Sequence, residues 1–429
     1  MEMDLTKAKK AYFLGLGGIG VSAIARMFLL EGKEVFGSDT ADTEITQELE
    51  KAGAKIFIGQ SADNIPADTD LIIYSIALDK FAADFMKEVR MKFKNVISYP
   101  EALSIISRDK FTIAIAGTHG KTTTTAMIAK IMMDAGLDPT VIVGSLLSDY
   151  KTNFIAGRSK YLVVEACEYC RSFLNIHPTI LVITSIDSDH LDYYKDFEDI
   201  KNAFKEFRSK LSGEGVIVGD QSDSVVKEIS ESAPKIVDSS SFYDSSLHLQ
   251  IPGNHNKRNA SVALAVALEL GIQIDDAKKS LSNFGGTWRR FEYKGETKEG
   301  ARVYDDYAHH PEEIKATLQG AREIAGEGKI YMIFEPHLFS RTKLLLNEFA
   351  ECFKDVDEVV LTPIYPAREE FDPSISSEML AGKISNTKAQ YEDSFQSASD
   401  YVTNKAKKGD IILVTGAGDI TNITKLLLS

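Results

Sequence analysis

Short apolar, β-branched runs recur along the chain, and most are followed by stretches whose apolar residues fall three and four apart. The runs predict buried strands and the 3.6-residue spacing predicts helices. Strands are expected at 12–14, 34–36, 55–58, 71–74 and 96–97, with helices at 22–31 and 44–52. A second series starts at Phe111, with strands at 111–116, 140–143, 161–165 and 180–185 and a helix near 197–210. Residues 215–249 read as short strands and polar turns, and a helix covers roughly 256–270. A third series places strands at 303–304, 329–334, 359–362 and 410–415, with helices near 312–322, 343–353 and 397–408. Strand–helix alternation of this kind builds parallel sheets. With about 150 residues per domain, 429 residues suggest roughly three domains.

Gly117-Thr118-His119-Gly120-Lys121-Thr122-Thr123 sits between the strand at 111–116 and an apolar-periodic segment from Ala126 to Met133. Strand, glycine turn, Lys-Thr and helix form the P-loop arrangement. Turn amides and a helix N-terminus present N–H groups to phosphate, Lys121 adds a charge, and the Thr122 hydroxyl can hold Mg2+. The usual opening glycine is replaced by Ile115. A second glycine turn, Gly15-Leu16-Gly17-Gly18-Ile19-Gly20, follows the first strand, and Asp39 stands 19 residues beyond Gly20. Alone this is the dinucleotide fingerprint, with the acid placed for a ribose hydroxyl. A diphosphate joined to a ribose is also what a UDP-sugar offers.

Glu165 closes its strand, and Asp187, Asp189, His190 and Asp192 follow the strand at 180–185, so both groups fall at one sheet edge. Near a phosphate loop they suggest one or two Mg2+ ions. Cys167-Glu168-Tyr169-Cys170 has no second Cys or His pair nearby, which argues against zinc. It leaves a redox pair or, as the better reading, two small thiols beside the site. Asn254 is placed to cap the helix after Pro252-Gly253, and His255, Asn256 and Asn259 carry groups able to read a base edge. Asp305-Asp306-Tyr307-Ala308-His309-His310-Pro311 suits polar substrate contact better than metal. In Phe334-Glu335-Pro336-His337-Leu338-Phe339-Ser340-Arg341, the arginine is a natural carboxylate or phosphate clamp.

Composition narrows the class. The 44% hydrophobic and 26% charged content is that of a soluble globular protein. A net charge of −14 argues against a general nucleic-acid binder. Three cysteines exclude a disulfide scaffold, and neither a signal-like segment nor an 18-residue apolar run is present, so the expected location is cytoplasmic, without membrane insertion.

Together these motifs resemble the Mur ligase family of peptidoglycan synthesis, from Tyr12 to Gly416-Ala417-Gly418-Asp419. The resemblance implies an α/β protein of three domains. These are a Rossmann-like UDP-sugar domain at 1–108, a central P-loop-type ATP-binding parallel sheet at 109–291, and a Rossmann-like amino-acid domain at 292–429. It implies ATP as cosubstrate with Mg2+, or Mn2+ as a substitute. The UDP-sugar is expected at Gly15, Gly17, Gly18, Ile19, Gly20, Asp39 and Ser75. ATP is expected at Gly117 through Thr123, with His255 and Asn259 on adenine and Arg290 on the phosphates. Thr122, Glu165 and His190 are the implied metal ligands. Tyr307, His309, His337 and Arg341 are implied around the amino acid, with Lys121, Glu165, His190, His309 and Arg341 as the catalytic set. Domain closure is expected.

Within the family, the pattern favours addition of L-alanine to the lactyl carboxylate of UDP-N-acetylmuramate. Members that add glutamate or diaminopimelate resemble one another in a carbamylated Lys bridging the metals. Phe204 falls at that position here, with Lys205 adjacent. The alternatives are a ligase that recycles a whole tripeptide and a weakened family member, because Cys167 and Cys170 replace usual acids. Ser185 and Leu338 also depart from the common pattern. A monomer or weak homodimer is expected. A competing class, an NAD-dependent oxidoreductase or nucleotide-binding regulator, leaves the second loop and the third series unexplained.

Overall fold

The computed structural model describes residues 4–147, 150, 152–188, 193–367 and 369–429. Three mostly parallel sheets form among them, as expected for a three-domain α/β protein. The first sheet contains β1 (Lys10–Leu14), β2 (Glu34–Asp39), β3 (Lys55–Ile58), β4 (Leu71–Tyr74) and β5 (Val96–Ser98) in the order β3-β2-β1-β4-β5. This is the doubly wound arrangement, and chain direction switches at β1, where the first glycine turn emerges.

The second sheet contains β6 (Phe111–Ala116), β7 (Thr140–Leu147), β8 (Thr152–Ile155), β9 (Tyr161–Glu165), β10 (Ile180–Ile183), β11 (Val216–Gly219) and β12 (Lys235–Asp238). Their order is β12-β11-β10-β6-β9-β7-β8, and only β7 and β8 pair antiparallel. The phosphate loop leaves β6, between β10 and β9. The third sheet contains β13 (Glu292–Glu296), β14 (Arg302–Asp306), β15 (Ile330–Phe334), β16 (Glu358–Leu361), β17 (Lys388–Tyr391) and β18 (Ile411–Thr415). Its order is β13-β14-β18-β15-β16-β17, with β13 antiparallel to β14.

Central strands such as β6, β10, β15 and β18 are apolar throughout because both faces are covered, so periodicity locates them without ambiguity. The edge strands β8, β12 and β17 carry mixed residues and escape the pattern. The Ser224–Ser230 helix lies inside the stretch expected to be strands and turns. Its start is marked by Asp223, whose carboxylate accepts from the Val225 and Val226 amides. The helix expected at 343–353 is broken at Leu345 into Phe339–Leu344 and Leu346–Cys352.

The chain forms two compact units. One joins Met1–Asp244 with Asn259–Ser282, and the other joins Ser245–Arg258 with Asn283–Ser429. Residues 245–258 and 283–291, grouped by sequence with the central sheet, therefore cluster with the third. In the first unit, the Ile19–Leu30 helix is fastened to the second sheet by Asn153 of β8. Its amide donates to the Ile19 carbonyl and to Ser22 Oγ (2.9 Å), and its oxygen accepts from Arg26 Nε (3.1 Å).

Candidate active site

The phosphate loop is shaped by two glycines that no other residue could replace without strain. Gly117 has φ +137°, and a Cβ there would stand 2.1 Å from Thr184 Oγ1. Gly120 has φ +80° and caps the Lys121–Asp134 helix, and a Cβ there would stand 2.4 Å from Asn259 Oδ1. Asn259, expected on adenine, thus stands with its amide against the loop. The Thr118 and His119 amides, expected to meet phosphate, donate to Ser185 O (2.8 Å) and Ser185 Oγ (3.1 Å). Ser185 therefore braces the loop. Helix geometry leaves the amides of Lys121, Thr122 and Thr123 pointing out of the first turn, the arrangement that binds anions.

Lys121 and Thr122 enter the site from that turn. Thr122 Oγ1 donates to Glu165 Oε1 at 3.0 Å. The second carboxylate oxygen of Glu165 accepts from the Gly144 amide at 2.7 Å. A Cβ at Gly144 would lie 2.6 Å from that carboxylate, so glycine in β7 is what lets Glu165 turn toward the loop. Gly144 had no signal in the sequence beyond a glycine inside a strand. The Lys121 ammonium bonds the carbonyls of Gly117 and Thr118 and pairs with the buried Glu168 at 2.9 Å. Burial acts to lower its pKa, but the Glu168 carboxylate, with Glu165, outweighs this and holds it above the ordinary lysine value. Glu168 is a partner that the sequence reading passed over.

Hard oxygen donors from Thr122 and Glu165, side by side at the phosphate loop, fit Mg2+, which takes few protein ligands and completes its shell with phosphate and water. Among the described residues no group of three His, Cys, Asp or Glu forms a further metal cluster. His190, with Asp189 and Asp192, lies outside the described residues. The solvent-accessible Cys167 is crowded by protein that pushes its thiol up to about 12, with Glu168 adding to the effect, so it is a neutral group beside the site. Phe204 is fully buried and packs edge-on against Phe173, while Lys205 pairs with Glu228 at 2.6 Å.

The first glycine turn is closed differently. Gly15 has φ +75° and Gly18 donates to its carbonyl at 3.1 Å. Asp39, expected to bond a ribose hydroxyl, accepts from the Gly17 amide (2.8 Å) and the Thr40 amide (2.7 Å), holding the turn to β2. Ser75 follows β4 with its Cβ 3.0 Å from where a Gly15 Cβ would stand.

In the second unit the residues expected around an amino acid do come together. Tyr307, His309, His337 and Tyr365 form a run of ring contacts with centroids 5.5, 5.8 and 5.6 Å apart. Arg341 donates to His337 Nδ1 at 3.2 Å. His309 Nδ1 lies 2.9 Å from the Tyr307 carbonyl and 3.5 Å from the Glu313 carboxylate, which assigns a proton to Nδ1. Leu338, at the departure from the common pattern, has φ +74°. Tyr365 carries no sequence signal, because it follows a separate strand and is brought beside His337 by an isolated bridge.

Arg289 and Arg290 part company. Arg289 is buried, pairs with Asp305 at 3.3 Å, and donates to the carbonyls of Gly418 (3.0 Å) and Gly416. Arg290 lies over the Tyr307 ring at 5.2 Å. His255 lies in the same unit, and its burial, with Arg290 nearby, pushes the ring down to about 4, so it is neutral at physiological pH. The helix it stands on begins at Asn254 itself, earlier than expected, so Asn254 is its first residue rather than its cap. Asn256 donates its side-chain amide to the Pro252 carbonyl (2.7 Å).

Three family profiles match the chain: the Mur ligase family catalytic domain at 10–111, the Mur ligase middle domain at 115–245, and the Mur ligase glutamate ligase domain at 289–418. The chain is 40% identical to the UDP-N-acetylmuramate–L-alanine ligase of Clostridium perfringens, with all of both chains covered. It is 41% identical to the enzyme of that name from Caldicellulosiruptor bescii, covering 98% of each. Among solved structures, the UDP-N-acetylmuramate-alanine ligase of Thermotoga maritima superposes with a TM-score of 0.81 at 27% identity, covering 97% of this chain and 98% of that one. A murein peptide ligase from Psychrobacter arcticus reaches 0.71 at 23% identity, covering 98% of each, a likeness of fold.

Proposed function

The chain belongs to the Mur ligase family, and from that premise we propose that it joins L-alanine to the lactyl carboxylate of UDP-N-acetylmuramate, driven by ATP, in peptidoglycan synthesis. The observation that carries this reading is full-length similarity to alanine-adding ligases, together with the convergence of Lys121, Thr122 and Glu165 at one loop. Residues 1–108 are assigned to the sugar nucleotide, 109–291 to ATP and 292–429 to the amino acid. Buried Phe204, where the glutamate- and diaminopimelate-adding members resemble one another in a lysine, favours alanine. No described helix is long and apolar enough to cross a membrane, and we assign the reaction to the cytoplasm.

The substrate carboxylate attacks the γ-phosphorus of ATP, giving an acyl phosphate and ADP. The alanine amine then attacks the acyl carbon and inorganic phosphate leaves. Lys121 exchanges its loop carbonyls and Glu168 for the β- and γ-phosphates, and the first-turn amides hold the transferred group. Thr122, Glu165 and His190 would hold Mg2+, which neutralises phosphate charge when bound. Arg290 reaches the phosphates, and Arg341 binds the alanine carboxylate as a bidentate fork. His309, in its neutral form, takes at Nε2 the proton released by the amine.

Phosphate release is measured with ATP, Mg2+ and UDP-N-acetylmuramate, with and without L-alanine, and separately with the L-alanyl-γ-D-glutamyl-diaminopimelate tripeptide. Alanine-dependent release is expected. Release only with tripeptide would make it the recycling ligase, and release with neither would overturn both readings.

A further inference from the structure

The first glycine turn and the phosphate loop belong to one compact unit, and Asn153 fixes the interval between them. From Ile19 the contact runs through Asn153 of β8 to β7, where the Gly144 amide holds Glu165. One side chain stands across this interval. Tyr99 is the first residue of the Tyr99–Arg108 helix, and its position is set by a capping box in which Ser98 and Glu101 bond each other's backbone amides. A Cβ at Gly20 would lie 2.7, 2.8 and 3.1 Å from Tyr99 Cζ, Cε1 and Cε2. The hydroxyl-bearing end of the ring therefore rests on the first turn of the Ile19–Leu30 helix, and Gly20 is glycine because the ring is there. The same phenol lies within electrostatic reach of the Glu165 carboxylate on the catalytic edge. Burial first, then Glu165, drives its pKa above the ordinary tyrosine range, so it is a neutral donor at any working pH.

A sugar nucleotide seated on the glycine turn with its carboxylate at the Glu165 edge must pass this hydroxyl. We propose that Tyr99 is a substrate-binding residue whose hydroxyl donates a hydrogen bond to the muramyl end of UDP-N-acetylmuramate, between the glycine turn and Glu165. The inference rests on the ligase reading above. A neutral donor suits the position, because a cation beside Glu165 would compete with the metal for that carboxylate.

The test is Tyr99→Phe, which keeps the ring on Gly20 and removes only the hydroxyl. Calorimetry is run with UDP-N-acetylmuramate, UDP and ATP on wild type and variant, alongside phosphate-release kinetics and thermal melting. Expected is a roughly 10-fold weaker Kd and higher KM for UDP-N-acetylmuramate, with UDP, ATP and the melting temperature unchanged. Equal binding of UDP-N-acetylmuramate by both proteins overturns the inference and leaves the ligase reading intact. An equal loss for UDP alone moves the bond to the diphosphate and also overturns it. Wild type that binds no UDP-N-acetylmuramate sinks both.

Discussion

The phosphate loop after β6 and the turn after β18 begin alike. Each leaves an interior strand of a parallel sheet through two glycines, and Gly416 (φ +148°) matches Gly117 in its left-handed backbone. They differ in what fills them. At Gly117 to Gly120 a helix of fourteen residues follows, and Lys121 and Thr122 project from its first turn. At Gly416 to Gly418 a short helical turn, Asp419–Asn422, and a five-residue helix, Ile423–Leu427, follow, and the protein fills the space itself. Arg289 bonds both glycine carbonyls, and Glu335 accepts the Ile420 amide at 3.3 Å, with an oxygen 2.3 Å from where a Gly418 Cβ would stand. One backbone device thus leaves a helix N-terminus open in one place and is filled by the protein in another. The side chains that reach it decide which.

The comparison can be broken at its strongest point by Lys121→Ala. The loss should be on the order of 10³-fold in turnover, about 4 kcal/mol of transition-state stabilisation, measured below the melting temperature of the variant because Glu168 also loses its buried partner. Near-normal turnover would remove the chemical role from the first turn. Arg289→Met should act in the opposite way, since it leaves Asp305 buried and uncompensated. A stability loss of about 3–4 kcal/mol is expected in denaturant titration. Arg290→Met, one residue on, should spare stability and depress turnover, so equal destabilisation by the two would erase the distinction.

Glu335 sharpens the contrast through pH. Burial pushes its carboxyl up from 4.5 to about 7. Between those values the folded state binds more protons than the unfolded state, so this group's contribution falls as pH rises from 4.5 through 7. The span corresponds to roughly 3–3.5 kcal/mol, and Glu335→Gln should flatten that part of the stability–pH curve. An unaltered curve would mean the carboxyl is not held in the turn as described. The smallest effect is expected at the first glycine turn, where Asp39→Asn keeps one acceptor for Gly17 and loses the charge. A weakening of about 1 kcal/mol in UDP-N-acetylmuramate binding, with ATP binding unaffected, is expected by calorimetry.

The sequence by itself determined the three sheets and where the glycine turns leave them. Central strands are apolar throughout, glycine turns are local, and Lys121 and Thr122 follow their loop directly, so pattern and spacing suffice. Glu165 was also legible, because a strand end at a sheet edge is a local feature. Tertiary structure alone decided how neighbouring residues divide their work. Nothing in Arg289-Arg290 says which is buried, since that depends on Asp305 and Gly416, far along the chain and on adjacent strands. That Asp39 bonds the Gly17 amide, and that Asn259 stands against Gly120, are likewise tertiary facts. Gly144, Glu168, Tyr99 and Tyr365 acquire meaning only where separate segments meet. A hydrogen bond between residues distant in sequence requires a folded sheet to bring them within 3 Å, and periodicity carries no record of which strands become neighbours.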